Sequence, residues 1–159
     1  YDVICSCPPE GLPVDGSDYV PPDSTYPRST NEIRIYLAGP MSGILEHNFP
    51  AFNSLAAALR ADGYTVVNPA ELDNGETDKE WGYYIRRDLP VLLTCDRVVV
   101  LPGWQSSKGA RIEVFTAFTV GMGVFRSILL GNLRSLRPLS SGEIVLAVGS
   151  LLLQACITE

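Results

Sequence analysis

Histidine is almost absent from this sequence, and its absence excludes two common kinds of active site. His47 is the only histidine among the 159 residues. A Ser-His-Asp triad needs a histidine as its general base, and many metal centres use several histidines as ligands. The four cysteines offer no replacement, because the Cys-x-Cys pair at positions 5 and 7 has a poor spacing for zinc and lacks a second half. No metal site is therefore expected.

Clusters of basic residues are missing as well. The net charge is −6, the sequence pI is near 4.7, and Arg86-Arg87 is the only pair of adjacent basic residues. Binding to a nucleic-acid polymer needs a basic surface that neutralises many phosphates. We therefore expect no nucleic-acid polymer as a partner, whereas a small anionic ligand needs only a local site.

The sequence also lacks a hydrophobic run long enough to cross a membrane. The longest apolar stretch, Ile144–Ile157, has 14 residues, whereas a transmembrane helix needs about 20. This stretch predicts a buried C-terminal helix, at about 140–157, or a contact between subunits. Because cysteines are few, we expect reduced thiols and a cytoplasmic location. No membrane partner is expected.

Composition divides the chain into two parts. Residues 1–31 are rich in Pro, Gly, Ser and Asp, which bury little surface, and they are predicted to form an N-terminal arm. In residues 32–159, apolar runs of strand length alternate with segments of helical periodicity. This pattern predicts an α/β domain with a small parallel sheet of four to five strands and helices on both faces. The expected strands are 32–38, 64–67, 98–101 and 125–130, and the expected helices are 48–60, 79–94, 108–120 and about 140–157.

The segment Leu101–Glu113 is the most informative part of the chain. It connects a buried strand to a helix, and open α/β sheets bind ligands at the carboxyl ends of their strands. Ser107 can cap the helix, Gly109 lets the backbone approach a ligand, and free amides there favour an anion such as phosphate. Glu113 lies one turn deeper on the same helix face as Gly109. It is either a catalytic carboxylate or an ordinary helix Glu paired with Lys or Arg.

A second loop, Gly39–Gly43, follows the first predicted strand and is expected at the same edge of the sheet. Its two glycines permit a tight turn with exposed amides, which suits a phosphate or a sugar. Gly-Pro after a strand is also an ordinary turn, so binding and structure both remain open. The chain contains neither G-x-G-x-x-G nor G-x-x-x-x-G-K-[ST], and therefore nothing indicates a dinucleotide-binding or P-loop protein.

Asp88 supplies a second carboxylate. Together, Asp88 and Glu113 would provide a nucleophile and an acid, the apparatus that breaks glycosidic bonds through an oxocarbenium-like transition state. The alternative for Asp88 is a solvated helix residue paired with a neighbouring Arg. Tyr36, Phe49 and Trp104 could stack a base, although each is equally typical of a core.

Several motifs carry a resemblance to a known family. They are Tyr36-Leu-Ala-Gly-Pro-Met-Ser-Gly43, Asn48-Phe-Pro-Ala-Phe-Asn53, Val67-Asn-Pro-Ala-Glu-Leu72, Arg87-Asp-Leu89, Leu101-Pro-Gly-Trp104 and Ser107-Lys-Gly-Ala-Arg-Ile-Glu113. Over residues 33–130 the chain resembles the nucleoside 2-deoxyribosyltransferase-like superfamily, in particular a phage and bacterial branch. The Ser-x-Gly-x-x-x-Glu pattern is similar to that of enzymes that hydrolyse the N-glycosidic bond of nucleoside 5′-monophosphates.

The resemblance implies a flavodoxin- or Rossmann-like three-layer sandwich, usually a homodimer, that needs no metal or cofactor. It implies that Glu113 attacks C1′ of the sugar, that Asp88 assists departure of the base or orients the sugar, and that Tyr36 hydrogen-bonds near the nucleophile. Ser107 and the amide of Gly109 would contact the 5′-phosphate. The implied substrate-binding residues are Gly39, Pro40, Met41, Ser42, Gly43, Asn48, Phe49, Trp104, Ser107 and Gly109.

These residues lead to three hypotheses of different kinds. The first is hydrolysis of the N-glycosidic bond of a (deoxy)nucleoside 5′-monophosphate, which releases free base and sugar 5-phosphate through a glycosyl ester on Glu113. The second is a nucleoside 2-deoxyribosyltransferase that exchanges bases. The third is a non-catalytic nucleotide-binding or interaction protein. Phe115, which replaces a Gly of many relatives, predicts a reshaped pocket, and Pro90 should kink the helix that carries Asp88, so the third stays open.

Overall fold

The computed structural model describes residues 33–72, 79–130 and 133–155, so the predicted arm at 1–31 lies outside the described residues. These ranges contain five β-strands and four α-helices. The strands are β1 (Arg34–Ala38), β2 (Thr65–Val67), β3 (Arg97–Val100), β4 (Gly123–Leu130) and β5 (Leu133–Pro138). The helices are α1 (Phe49–Ala61), α2 (Trp81–Leu92), α3 (Lys108–Thr119) and α4 (Ser141–Ala155). Each predicted strand and helix is present, with ends shifted by a few residues.

The strands form one sheet in the order β2-β1-β3-β4-β5. The first four are parallel, and β5 runs antiparallel to β4. The order is that of flavodoxin-like sheets, and the predicted α/β class is confirmed. Because β5 is antiparallel, the sheet is mixed and not parallel throughout as expected. This strand was not among those predicted. Its sequence, Leu133-Arg-Ser-Leu-Arg-Pro138, has neither an apolar run nor an alternation of polar and apolar residues.

Side chains of the central strands alternate between two cores, one on each face of the sheet. In β1, Ile35 and Leu37 pack with α1, whereas Tyr36 and Ala38 pack with residues of α2, α3 and α4. Because both faces are covered, the strand needs apolar residues at successive positions and shows no polar side. The result is three layers, with α1 on one face of the sheet and the other three helices on the opposite face.

Hydrogen bonds of side chains define the start of α3, where they confirm the predicted Ser107 cap, and the start of α4. The Oγ atom of Ser107 accepts the amide of the third residue of α3 at 3.2 Å. At the start of α4, the amide of Glu143 donates to Ser140 Oγ and the amide of Ser140 donates to Glu143 Oε2, which is a capping box. Asn48 makes no side-chain cap for α1. Its Nδ2 group donates instead to the carbonyl oxygen of Pro40 at 2.8 Å.

The C-terminal helix is buried along one side. Ile144 and Val148 of α4 are buried, whereas Val145 and Leu146 are exposed, Leu146 by 83%. The buried side packs α4 against α3, and a subunit contact on the exposed side stays a prediction. Across the described ranges, no helix combines the length and the apolar character needed to span a bilayer.

Candidate functional site

A cavity of about 710 Å³ opens at the carboxyl ends of β1 and β3. From β1 the chain continues to β2 on one side of the sheet, and from β3 it continues to β4 on the other. The two loops therefore diverge and leave a crevice between them, which is the usual ligand position in an open α/β sheet. The walls of the cavity come from residues 39–44, from residues 106–110 and from one face of α2. The two loops singled out in the sequence therefore meet at this edge.

Glu113 of α3 lines this cavity although its residue is only 6% exposed. The hydroxyl group of Tyr36, a fully buried residue of β1, donates a hydrogen bond of 2.7 Å to Glu113 Oε1. The bond joins β1 to α3 and restricts rotation of the carboxyl group. Two of the three candidate catalytic residues are thus in direct contact.

The surroundings of Glu113 change its acidity. Burial raises the pKa of Glu113 from its ordinary value of 4.5 to about 8, the hydrogen bond from Tyr36 opposes this rise, and the negative charge of Asp88 adds to it. The pKa of Tyr36 is raised well above 10, mainly by burial and then by the charge of Glu113, so its hydroxyl remains a donor at neutral pH. A carboxyl group with so perturbed a pKa inside a cleft is typical of a functional site.

Asp88 lines the same cavity from α2 and is 5% exposed. The Nε atom of Arg87 donates to Asp88 Oδ1 at 2.6 Å. The expectation of an ion pair was right, but that of a solvated position was wrong. Burying an ionised carboxylate is costly unless a partner compensates its charge, and Arg87 supplies that partner. Pro90 does not end α2, which continues to Leu92 with Asp88 on its buried side.

The N-terminal end of α3 forms the opposite wall. Ser107, Lys108 and Gly109 all line the cavity there. The first amides of a helix carry partial positive charge, and such an end can hold an anion. A Cβ atom on Gly109 would lie 3.4 Å from Ile85 Cδ1 and 3.7 Å from Trp81 Nε1. Both are ordinary van der Waals distances, so α3 and α2 lie close together at Gly109.

The cavity is also lined by two aromatic residues of α2 that were not among the predicted site residues. Trp81 and Tyr84, together with Ile85, face the same space as Asp88. In the sequence, these residues lie on the apolar side of the helix expected at 79–94, a pattern that is typical of core packing. Their spacing of seven, four and three residues before Asp88 puts them on its helix face, and this relation could have revealed them.

The loop after β1 closes the cavity on its third side. Pro40, Met41, Ser42 and Gly43 line it, as does Phe49 at the start of α1. The loop leaves the strand at Gly39, where space is tight. A Cβ atom there would lie 2.9 Å from the Cβ of Leu101, which follows β3, and 3.1 Å from the ring of Phe52 in α1. The glycine thus lets the two loops approach each other.

Backbone strain accompanies this loop. Glu46, His47 and Asn48 have φ angles of 51°, 51° and 61°. Non-glycine residues in this left-handed region cost about 1–2 kcal/mol each, and such strain is concentrated at functional sites. His47 lines the cavity. Asn48 does not line it, but its side chain donates a hydrogen bond of 2.8 Å to the carbonyl oxygen of Pro40, which does.

Comparison with protein families places the chain. Residues 33–126 match the family described as "Domain of unknown function (DUF4406)". The chain belongs to DUF4406. No curated protein matches the sequence. The DUF4406 segment contains β1 to β3, α1 to α3 and all the residues described above as lining the cavity, and it ends within β4.

Some candidates within the DUF4406 segment lie away from the cavity. Trp104 is 3% exposed and packs in the core with residues of α3 and α4, so the structure favours the core interpretation of this residue. Phe115 is 45% exposed and lies on the other side of α3 from Glu113, because two residues of a helix turn by about 200°. It therefore does not reshape the cavity. Asp96, just before β3, accepts the amide of Arg34 at 2.8 Å and does not line the cavity.

The polar groups of the DUF4406 cavity define what chemistry it can perform. In the part of the chain that the structure describes, no group of three or more His, Cys, Asp and Glu side chains could hold a metal ion. The cavity is lined by two buried carboxyl groups and by a helix N-terminus with hydroxyl and lysine side chains. Such a site can bind an anion at the helix N-terminus while a carboxylate attacks an electron-poor carbon of the same ligand.

Proposed function

We propose that this protein hydrolyses the N-glycosidic bond of a nucleoside 5′-monophosphate, releasing the free base and a sugar 5-phosphate. The observation that carries the proposal is the position of Glu113. Its buried carboxyl group, oriented by the 2.7 Å hydrogen bond from Tyr36, lines the same cavity as the N-terminus of α3. A carboxyl group has no structural need to occupy such a place, because burial raises its pKa and so opposes its charge.

The resemblance to the nucleoside 2-deoxyribosyltransferase-like superfamily supports the same chemistry. It gave Glu113 as nucleophile, Asp88 as its assisting carboxylate and Tyr36 as the neighbouring donor. Independently of the resemblance, the fold brings Glu113 and Asp88 to one cavity and Tyr36 into contact with Glu113. The superfamily further suggests a homodimer, which we expect to act in the cytoplasm.

In the first step, the Glu113 carboxylate forms a bond to C1′ while the bond from C1′ to the base nitrogen breaks. The electron pair leaves with the base, which takes a proton from water. Positive charge develops on C1′ and the ring oxygen in the transition state. The Asp88 carboxylate, paired with Arg87 at 2.6 Å, stabilises this charge and orients the sugar.

In the second step, water hydrolyses the glycosyl ester. The oxygen of the attacking water bonds to C1′ while Asp88 accepts a proton from that water. At the same time, the bond between C1′ and Glu113 breaks. Glu113 returns as a carboxylate, and Asp88 releases its proton to the solvent. This proton balances the one that the departing base took from water in the first step. Throughout, the 5′-phosphate would be held by Ser107 and the amide of Gly109 at the positive end of α3.

The experiment is to incubate the purified protein with nucleoside 5′-monophosphates and the matching nucleosides, without an acceptor base, and to measure free base by chromatography. We expect release from monophosphates only. Glu113→Gln should lower the rate by at least about a thousandfold, as loss of a nucleophile does. Phe115→Ala is the matched control, because Phe115 lies on the same helix but outside the cavity.

The other outcomes distinguish the alternatives. Product that forms only after an acceptor base is added would identify a nucleoside 2-deoxyribosyltransferase. Binding of nucleotides without any release of base would identify a non-catalytic nucleotide-binding protein. Full turnover by a folded Glu113→Gln variant would contradict the mechanism itself.

A further inference from the structure

Two side chains at the cavity, from different helices, are paired with each other in a way that the proposed reaction does not use. The Lys108 Nζ atom lies 4.3 Å from the centre of the Trp81 ring. Both residues line the cavity and both are exposed, Trp81 by 41%. The ammonium group therefore covers one face of an indole ring at the place where a ligand would enter.

A contact of this kind is weak. An ammonium ion is attracted to the face of a tryptophan ring, but at an exposed site water competes for the same charge. A phosphate would offer Lys108 a charge-assisted hydrogen bond, which is stronger than a contact with a neutral ring. Lys108 is the first residue of α3 and follows Ser107 directly, so its flexible side chain can reach an anion at that helix end.

The indole ring would also gain from the exchange. A nucleobase stacks on an aromatic side chain through its flat face, whichever base it is. The Trp81 face that Lys108 covers is such a platform, and it lies in the same cavity as the two carboxyl groups. Departure of the ammonium group would leave the platform to a base.

We propose that Lys108 and Trp81 form a specificity pair: a nucleoside 5′-monophosphate separates them by taking Lys108 onto its phosphate and stacking its base on Trp81. This inference rests on the proposed function, because it assigns the two ends of the same substrate. A nucleoside or inorganic phosphate alone replaces only one half of the contact. The pair therefore makes the site respond to a ligand that carries both groups.

Fluorescence can detect the separation directly. The chain has two tryptophans, and Trp104 is 3% exposed in the core, where it gives a constant background. We would titrate the Glu113→Gln variant, which cannot turn over, with the four ribonucleoside 5′-monophosphates, the matching nucleosides and inorganic phosphate. Stacking of a base should quench Trp81, and the change should disappear when Trp81→Phe is added.

Lysine variants test the phosphate half of the proposal. Lys108→Met keeps the length of the side chain and removes its charge. We expect it to weaken the best-bound monophosphate by about tenfold, the loss of one charge-assisted contact, and to leave the nucleoside unchanged. Lys79→Met is the matched control, because Lys79 also lines the cavity but has no place in the pair. It should weaken the monophosphate by less than about twofold.

Three results would overturn the proposal. Lys108→Met could weaken nucleoside and monophosphate equally, it could weaken neither, or Lys79→Met could have the same effect as Lys108→Met. The proposed reaction fails separately. Binding that depends on Lys108 but leads to no release of base would refute the hydrolase and support the specificity pair. Release of base by a Lys108→Met protein with an unchanged KM would support the hydrolase and refute the pair.

Discussion

The Tyr36 hydroxyl group and the Glu113 carboxyl group are joined by a hydrogen bond of 2.7 Å across 77 positions of the chain. The donor lies on β1, an inner strand of the sheet, and the acceptor lies on α3, where it lines the cavity. The bond lowers the pKa of Glu113, against the larger effect of burial, which raises it to about 8. Tyr36 therefore controls how much of the nucleophile is ionised at neutral pH.

Replacement of this hydroxyl should shift the pH dependence of the reaction. In Tyr36→Phe the pKa of Glu113 should rise above its present value of about 8, because the hydrogen bond that favours the carboxylate is lost. We expect kcat/KM at pH 7 to fall by about tenfold and to recover in part at higher pH. A pH profile of both proteins measures this. An equal loss at every pH would mean that Tyr36 acts in another way.

Stability should depend on pH through Glu113. Its pKa is about 8 in the folded chain against an ordinary 4.5, so the folded state binds more protons between these values. Its contribution is fully present below pH 4.5 and is lost as the pH rises through 8, at up to about 1.4 kcal/mol per pH unit. Glu113→Gln should remove this slope and be the more stable protein above pH 8.

Urea unfolding at pH 5, 7 and 8.5 would measure the effect. Glu71→Gln is the control, because the pKa of Glu71 is lowered, mainly by its hydrogen bond from Arg60. A lowered pKa contributes stability that is lost only as the pH falls below the ordinary value, so this variant should keep the slope of the parent above pH 5. Equal slopes in Glu113→Gln and the parent would show that Glu113 is not the responsible group.

Ser107 should carry both a structural and a binding role. Its Oγ atom caps α3 at 3.2 Å, so Ser107→Ala should cost about 1 kcal/mol of stability. Ser140→Ala removes a comparable cap from α4, away from the cavity, and should cost a similar amount. Only Ser107→Ala should raise KM for monophosphates, by about tenfold. Similar KM values in the two variants would remove Ser107 from phosphate binding.

Gly39 should tolerate no side chain. Its Cβ would lie 2.9 Å from Leu101 Cβ and 3.1 Å from Phe52 Cζ, so Gly39→Ala should destabilise the protein by about 1–3 kcal/mol. Gly142, in the first turn of α4, has nothing within 4 Å of such an atom. Gly142→Ala should therefore be neutral or slightly stabilising. Thermal unfolding of the two variants checks this, and equal melting temperatures would refute the steric argument.

The α/β class and the positions of the parallel strands and helices were predictable from the sequence because these elements have strong local signals. The apolar runs around Leu37 and Val99 and the helix with its Ser107 cap identify an α/β unit without knowledge of the fold. The loops at Gly39–Gly43 and Ser107–Gly109 then meet because carboxyl ends of neighbouring parallel strands share one edge. This topological rule brings the two loops to one cavity, and most of the candidate site residues line it.

The remaining features depend on contacts between distant parts of the chain, which periodicity does not encode. Trp81 and Trp104 are both aromatic residues on short turns or helix ends, yet one lines the cavity and the other fills the core. Both tryptophans belong to elements on the same face of the sheet, so the difference depends on which neighbours each side chain meets there. Asn48 likewise has the residue type of a cap, but a carbonyl of the neighbouring loop competes successfully for its side chain.

The reversed strand β5 has a consequence for how the sheet meets other molecules. The DUF4406 segment ends at Arg126, within β4, so the parallel part of the sheet would by itself leave β4 as an open edge, a template for aggregation with other chains. The pairing from Phe125 to Leu130 covers that edge with the antiparallel neighbour β5. The new outermost strand contains two arginines and ends in Pro138, features that discourage another strand from adding to it. At this edge of the sheet, the chain therefore carries its own protection against edge-to-edge association.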